Sequence, residues 1–340
     1  MDPVSHGLLG AALAESIADK NEIRLASLTG FLSAMLADAD VFIRSTEDPL
    51  LTLDYHRQFT HSLIFIPVGG LIAAAILWLF LRRRMRFRKI YLYATLGYAT
   101  AGLLDACTSY GTQLLWPFSD ARIAWNVISI IDPVFTLTVA VFVIVAVVKK
   151  SRVIARAGLA FVILYLLLGL YQREGAEDVT RALAESRGHE IERMIVHSSI
   201  GNIILWRSVY ESDGVYYTDT VRRGFLSEPR VYEGGSLPAV EVGSDFQDVD
   251  PDSVLYRDIL RFEHFSDGYL VVNPQYPDVL GDLRYSLLPN GIIPLWGIVI
   301  NTERQDRHVT MFDYHRAVTA DKWRAFMTML RGGDLSRKGE

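Results

Sequence analysis

The chain has 340 residues, half of them hydrophobic, with a mean hydropathy of +0.20 and a formal charge of −5. That length leaves room for two domains, and the average is too apolar for an ordinary soluble enzyme, so a polytopic membrane protein with a soluble part fits best. No global basic field points to nucleic acid as a partner, and the single cysteine, Cys107, excludes an internal disulfide framework or a cysteine-rich metal site.

The N-terminal stretch Met1-Asp-Pro-Val-Ser-His6 has no basic region and no small-residue cleavage pattern, and is not expected to be a signal peptide. Pro3 and Ser5 suit a helix start, and residues 6–18 read as a short apolar helix ended by Asp19-Lys20-Asn21-Glu22. A second apolar segment, 25–37, stops at Asp38-Ala39-Asp40. Each segment makes roughly 20 Å of helix, short for a full span. The pattern predicts a helical hairpin that brings His6 to the same end as Asp38 and Asp40.

A polar connection, 44–54, leads into Asp54-Tyr-His56-Arg57-Gln-Phe-Thr60-His61-Ser62 and then into an uncharged run, 63–81. That run is long enough to cross a bilayer core of ~30 Å. It ends in a basic stretch, 82–89, which the positive-inside rule assigns to the cytoplasm. The chain returns through uncharged residues to Asp105, passes an interfacial stretch from Thr108 to Ser119, and reaches Asn126 and Asp132-Pro133. Further spans at 134–148 and 157–171 flank a second basic turn containing Lys149, Lys150, Arg152 and Arg156. Residues 1–172 therefore read as an α-helical polytopic membrane domain, a short N-terminal hairpin plus about four transmembrane helices.

In this topology His6, Asp38, Asp40, His56, His61, Asp105 and Asp132 all fall at the non-cytoplasmic end of the helices. Ionisable groups at a membrane edge are costly unless they pair or coordinate, and histidines with carboxylates suit zinc. The plainer alternative is that each residue marks where a helix leaves the membrane. On one helix His56 and His61 would point about 140° apart, so they converge only if the helix begins between them, with Thr60 as its cap.

From residue 173 the composition becomes that of a soluble α+β domain, 173–340, expected on the non-cytoplasmic side. Helical periodicity covers 178–196, and β-rich runs follow at 203–210, 215–220, 269–273, 283–288 and 292–300. The acidic stretch 241–252 reads as an exposed loop in preference to a calcium loop, and His308, Asp313 and His315 as surface or structural residues. A Gly-x-Ser-x-Gly elbow, a His-Glu-x-x-His helix, a phosphate loop and a dinucleotide fingerprint are all missing from the sequence.

Four stretches carry a resemblance: Val4-Ser-His-Gly-Leu-Leu-Gly10, Asp38-Ala-Asp40, His56-Arg-x-x-Thr-His-Ser62, and Leu-Leu-Asp105 with the following Thr108-Ser-Tyr-Gly-Thr-Gln-Leu-Leu-Trp-Pro-Phe-Ser119. Together they resemble bacterial inner-membrane metal-dependent hydrolases of the YdjM type. Asn202-Ile-Ile-Leu-Trp206, Asp282-Leu-Arg-Tyr285 and Pro294-Leu-Trp-Gly297 are similar to the tail of longer members. The resemblance implies a helical site distantly related to zinc-dependent phospholipase C and the S1/P1 nucleases. It makes His6, Asp38, His56, His61 and Asp105 metal-ligand candidates and Arg57 a holder of anionic substrate. Ala101 departs from the pattern, because a histidine often stands four residues before the aspartate.

The leading expectation is thus a hydrolase whose bound divalent metal, zinc by preference, activates water against an ester or phosphoester of a lipid or lipid-linked substrate. Thr60 and Asp40 join Arg57 as the residues expected to serve catalysis. The competing expectation is a non-catalytic membrane scaffold in which the His/Asp cluster is structural.

Overall fold

The computed structural model describes residues 1–225, 227–313 and 318–335; His315 lies outside the described residues. Helix α1 (Pro3–Ile17) starts where Asp2 accepts a hydrogen bond from the Ser5 amide and Pro3 takes the first helical position. With α2 (Ile23–Leu36) it forms the expected hairpin. The second arm does not stop at Asp38, however, because a 3-10 turn, Ala37–Phe42, carries the helical path onward. The apolar segment Ile23–Phe42 thereby reaches 20 residues, enough to cross a membrane, where the sequence predicts a short arm. The two aspartates do not end the segment because their carboxylates turn inward, that of Asp40 to complete burial.

A short α3 (Leu51–Tyr55) and two 3-10 turns, Phe59–His61 and Leu63–Phe65, precede α4 (Ile66–Leu81). Then come α5 (Phe87–Ala106), α6 (Pro133–Lys149) and the 35-residue α7 (Arg152–Ser186). Among the described residues, length and hydropathy qualify three segments as spans, Ile23–Phe42, Leu63–Leu81 and Arg152–Ser186, with Pro133–Lys149 apolar but shorter. This differs from the expected hairpin plus about four spans. Helix α5 has the length, but it carries Arg88, Lys89 and Asp105 and several tyrosines. The new helix predicted over 178–196 is in fact the end of α7 followed by a strand, since the charged residues after Tyr171 continue the same helical path.

Glycines set the spacing of α1, α2 and α5. A Cβ on Gly10 would lie 2.6 Å from the Gly30 carbonyl oxygen, and one on Gly97 would lie 2.3 Å from that same oxygen. Three main chains therefore touch in one layer, as small residues permit in membrane helices. Toward the basic end, Ile23, Ala26, Leu77, Leu81, Ile90 and Ala94 form an apolar core.

By internal contacts the chain divides into one compact unit of Met1–Ile43, Tyr55–Tyr171 and Ile200–Asn202, and another of Arg44–Asp54, Gln172–Ser199 and Ile203–Glu340. The second unit holds two four-stranded antiparallel sheets, each in sequential order. The first comprises β1 (Arg193–Ser198), β2 (Leu205–Ser212), β3 (Val215–Arg222) and β4 (Arg230–Pro238). After α8 (Val242–Asp245) and α9 (Val254–Phe265) comes the second sheet, β5 (Leu270–Asn273), β6 (Tyr276–Asp282), β7 (Trp296–Val299) and β8 (Thr310–Asp313), and then α10 (Ala320–Arg331). The run 283–288, predicted as a strand, contributes only a bridge from Ser286 to Pro294, and the strand lies just before it. Within the acidic stretch, residues 242–245 form the short α8. Val209, Tyr216, Tyr269, Val271 and Leu283 pack the sheets together, and Phe326 and Met329 of α10 pack on Leu205 and Tyr232.

Candidate metal centre

The candidate centre is built from four pieces of the first unit: the start of α1, the 3-10 turn after α2, the turns between α3 and α4, and the end of α5. His6 faces inward from α1 with its Nε2 3.0 Å from Asp105 Oδ1. Ligand atoms of His6, Asp38 and Asp105 lie within 4.8 Å of one another, as a shared ion requires. His61 Nε2 lies beside them, 3.4 Å from Asp38 Oδ1 and 3.2 Å from Asp105 Oδ2. Gly102 permits this approach, since a Cβ there would stand 2.1 Å from the His61 carbonyl oxygen. The Met1 amino group also contacts Asp105 Oδ1.

Asp40 works from the other side of the same imidazole. Its Oδ2 accepts from the Thr60 hydroxyl at 2.6 Å and the Arg57 amide at 3.0 Å, and lies 3.2 Å from His61 Nδ1. Its Oδ1 is 2.8 Å from His56 Nδ1. A carboxylate on Nδ1 leaves Nε2 as the atom offered to the centre, the usual way an outer group orients a metal-binding histidine. Burial opposes charge on His61, but the carboxylates of Asp105, Asp38 and Asp40 around the ring raise its pKa to about 10.

Arg57 is buried and left-handed, with φ at 62°, a conformation costing roughly 1–2 kcal/mol for a residue with a Cβ. Its main chain is held on both sides, the amide by Asp40 and the carbonyl by the Gln113 amide. The guanidinium lies 3.0 Å from Asp105 Oδ2, donates to Thr108 Oγ1 and sits over the Tyr110 ring at 4.7 Å.

Whether these residues suit a divalent ion is decided by their unmatched atoms. His6 Nδ1, Asp38 Oδ2, His61 Nε2 and Asp105 Oδ2 are buried and lack an aligned hydrogen-bond partner, which is expensive unless something else satisfies them. Two histidines and two carboxylates, each with a buried unmatched atom, offer the mixed N/O chemistry that zinc and related ions take. The residues present fit such an ion.

Of the residues singled out in the sequence, His6, Asp38, His61 and Asp105 are brought together. His56 reaches them only through Asp40, and its ring meets His61 edge-on at 6.2 Å. Thr60 caps no helix; α4 begins later, at Ile66, and the Thr60 hydroxyl is spent on Asp40. Asp132, grouped with the site by topology, instead caps α6 through the Phe135 amide and accepts from the Tyr165 hydroxyl. Ala101 is buried against Ala37 and Tyr98, in an apolar patch that offers no ligand. Sequence reasoning missed Thr108, Tyr110 and Tyr98, whose hydroxyl donates to the Thr60 carbonyl. Thr108 and Tyr110 stand in a motif already noted, but nothing in their spacing from Arg57 reveals the contact.

A second cluster, Asp48, Asp258 and His308, lies in the other unit. There Arg261 donates to Asp48, Asp54 and Asp258 and supplies the positive charge itself. Asp54, which opens the polar stretch in the sequence, therefore serves that knot and not the metal centre.

Helices long enough to span, together with a buried His/Asp cluster at their end, define a membrane protein with a candidate metal centre. The chain belongs to the YdjM inner membrane protein family, whose profile it matches over residues 1–176. It is 23% identical over 260 residues to the uncharacterized protein YfhP of Bacillus subtilis (strain 168), covering 71% of this chain and 75% of that one. It is 36% identical over 109 residues to the inner membrane protein YbcI of Escherichia coli (strain K12), covering 30% of this chain and 60% of YbcI. No solved structure matches.

Proposed function

We propose that the protein is a membrane-bound, metal-dependent hydrolase acting on an ester or phosphoester of a lipid or lipid-linked substrate at the membrane surface. The observation that carries this reading is the gathering of ligand atoms of His6, Asp38 and Asp105 within 4.8 Å of one another, with His61 Nε2 beside both carboxylates, at the end of apolar helices. These four residues would hold the ion, zinc by preference. A divalent ion, when bound, supplies Lewis acidity that makes water nucleophilic near neutral pH. Asp40 and Thr60 fix the His61 ring, and His56 buttresses Asp40. Arg57 lies close enough to Asp105 to share an anionic substrate group, with Tyr110 limiting its swing. Asp38 is the ligand candidate that retains some exposure, so approach to the centre is by its side.

A second reading, a closed structural centre, is favoured by Arg57 itself, a cation of the chain already set against Asp105. Elemental analysis of detergent-purified protein, wild type against His61→Ala, separates the readings when paired with assays on phosphoesters and phospholipids. Stoichiometric metal lost in the variant, with turnover lost in parallel, supports the enzyme. Metal without turnover supports the structural centre. Protein that takes up no zinc even in excess sinks both.

A further inference from the structure

Between α2 and α4 runs an apolar groove of about 420 Å³. Its floor is Ala73, Leu77 and Leu81, all nearly buried, and its exposed rims include Leu28, Leu32 and Phe80. Both walls belong to segments long and apolar enough to cross a bilayer, so the medium outside the groove is hydrocarbon. A lipid tail gains nothing by the hydrophobic effect on moving from other tails into such a groove, because it is as apolar outside as inside. Selective occupancy therefore needs a polar anchor at one end.

The groove has one. Its floor ends at Leu81, and Arg82, Arg83 and Arg84 follow directly, all exposed and with no acidic partner among the described residues. Of the other cations at this end, Lys89 is engaged by Asp19 and Glu22, and Arg152 by Asp19. Ile23, Ala26, Leu77 and Leu81 belong to one apolar core, so the start of α2 and the end of α4 share this end. Cationic side chains at a membrane surface attract anionic headgroups.

We propose that this groove is a phospholipid site, in which one acyl chain lies along α2 and α4 and an anionic headgroup rests on Arg82, Arg83 and Arg84. Its headgroup end lies by the start of α2, whereas the His/Asp cluster lies past the end of that helix, and the proposal does not rest on the hydrolase reading.

The test uses the full chain, purified in mild detergent, stripped of lipid and offered phosphatidylglycerol, phosphatidylcholine with the same acyl chains, or glycerol phosphate, with retention read by native mass spectrometry. One phosphatidylglycerol is expected per chain, retained about tenfold better than phosphatidylcholine, with glycerol phosphate not retained. Leu32→Trp, which fills the groove from its exposed rim, should lower phosphatidylglycerol retention about tenfold, and Leu28→Trp repeats the test should the first variant misfold. The double variant Arg83→Gln, Arg84→Gln should bring phosphatidylglycerol down to the phosphatidylcholine level. Equal retention of the two lipids by the wild type overturns the proposal. So does phosphatidylglycerol retention unmoved by either tryptophan, or a dimer that the tryptophan dissociates, which would give the groove to a second copy.

Discussion

Asp40 and Asp38 are two residues apart and do different things. Asp38 offers its carboxylate to the shared centre, whereas both oxygens of Asp40 are committed to His56, Arg57, Thr60 and His61. Asp40→Asn keeps the shape but loses acceptors for these donors. The expected result by titration calorimetry is zinc affinity lowered by roughly 10–100-fold with stoichiometry retained. Asp38→Asn removes a ligand, and the stoichiometry itself should fall. Equal effects of the two changes would refute this division of labour. The residue types were visible in the sequence, and so was the end of the helices they share. The division between ligand and support was not, because it depends on which way a 3-10 turn points each carboxylate.

Helix packing shows the same limit of legibility. Apolar runs and basic loops locate α1, α2, α4 and α6 within a few residues, since hydropathy and charge act locally. The continuation of the second segment to Phe42 and of α7 to Ser186 were missed, because charged residues ended each pattern in sequence but not in space. The polar end of the first continuation folds back into the protein, and the second remains helical after its apolar part ends. The glycines at 10, 30 and 97 are equally silent in sequence, yet they bring α1, α2 and α5 into main-chain contact. Gly97→Leu would drive a side chain against the Gly30 carbonyl and separate α2 from α5, and with them Asp38 from Asp105. A destabilisation of about 1–3 kcal/mol or more is expected, read as a lower thermal midpoint in detergent. An unchanged midpoint would show that the helices can part freely.

At the scale of the molecule, the second unit carries a buried histidine through which it responds to acid. In the second unit His197 is buried beside Arg207 and Arg284, and its ring nitrogens lie near the carbonyls of Ser198 and Arg284. Burial, assisted by the two arginines, lowers its pKa from 6.5 to about 4. The unfolded chain therefore binds more protons between those values. Stability is full above pH 6.5, falls as the pH drops toward 4 by on the order of 3 kcal/mol, and changes no further from this group below that. Denaturant midpoints of the sheet unit, followed by tryptophan fluorescence from pH 7.5 to 4, should show this decline, and His197→Gln should flatten it. The layer where α1, α2 and α5 touch has a consequence of another kind. Main chains in contact leave no room for a side chain between those helices, so nothing larger than a hydrogen can be added there without parting them. Along the seam of these three helices, the chain is closed at that layer by its own backbone.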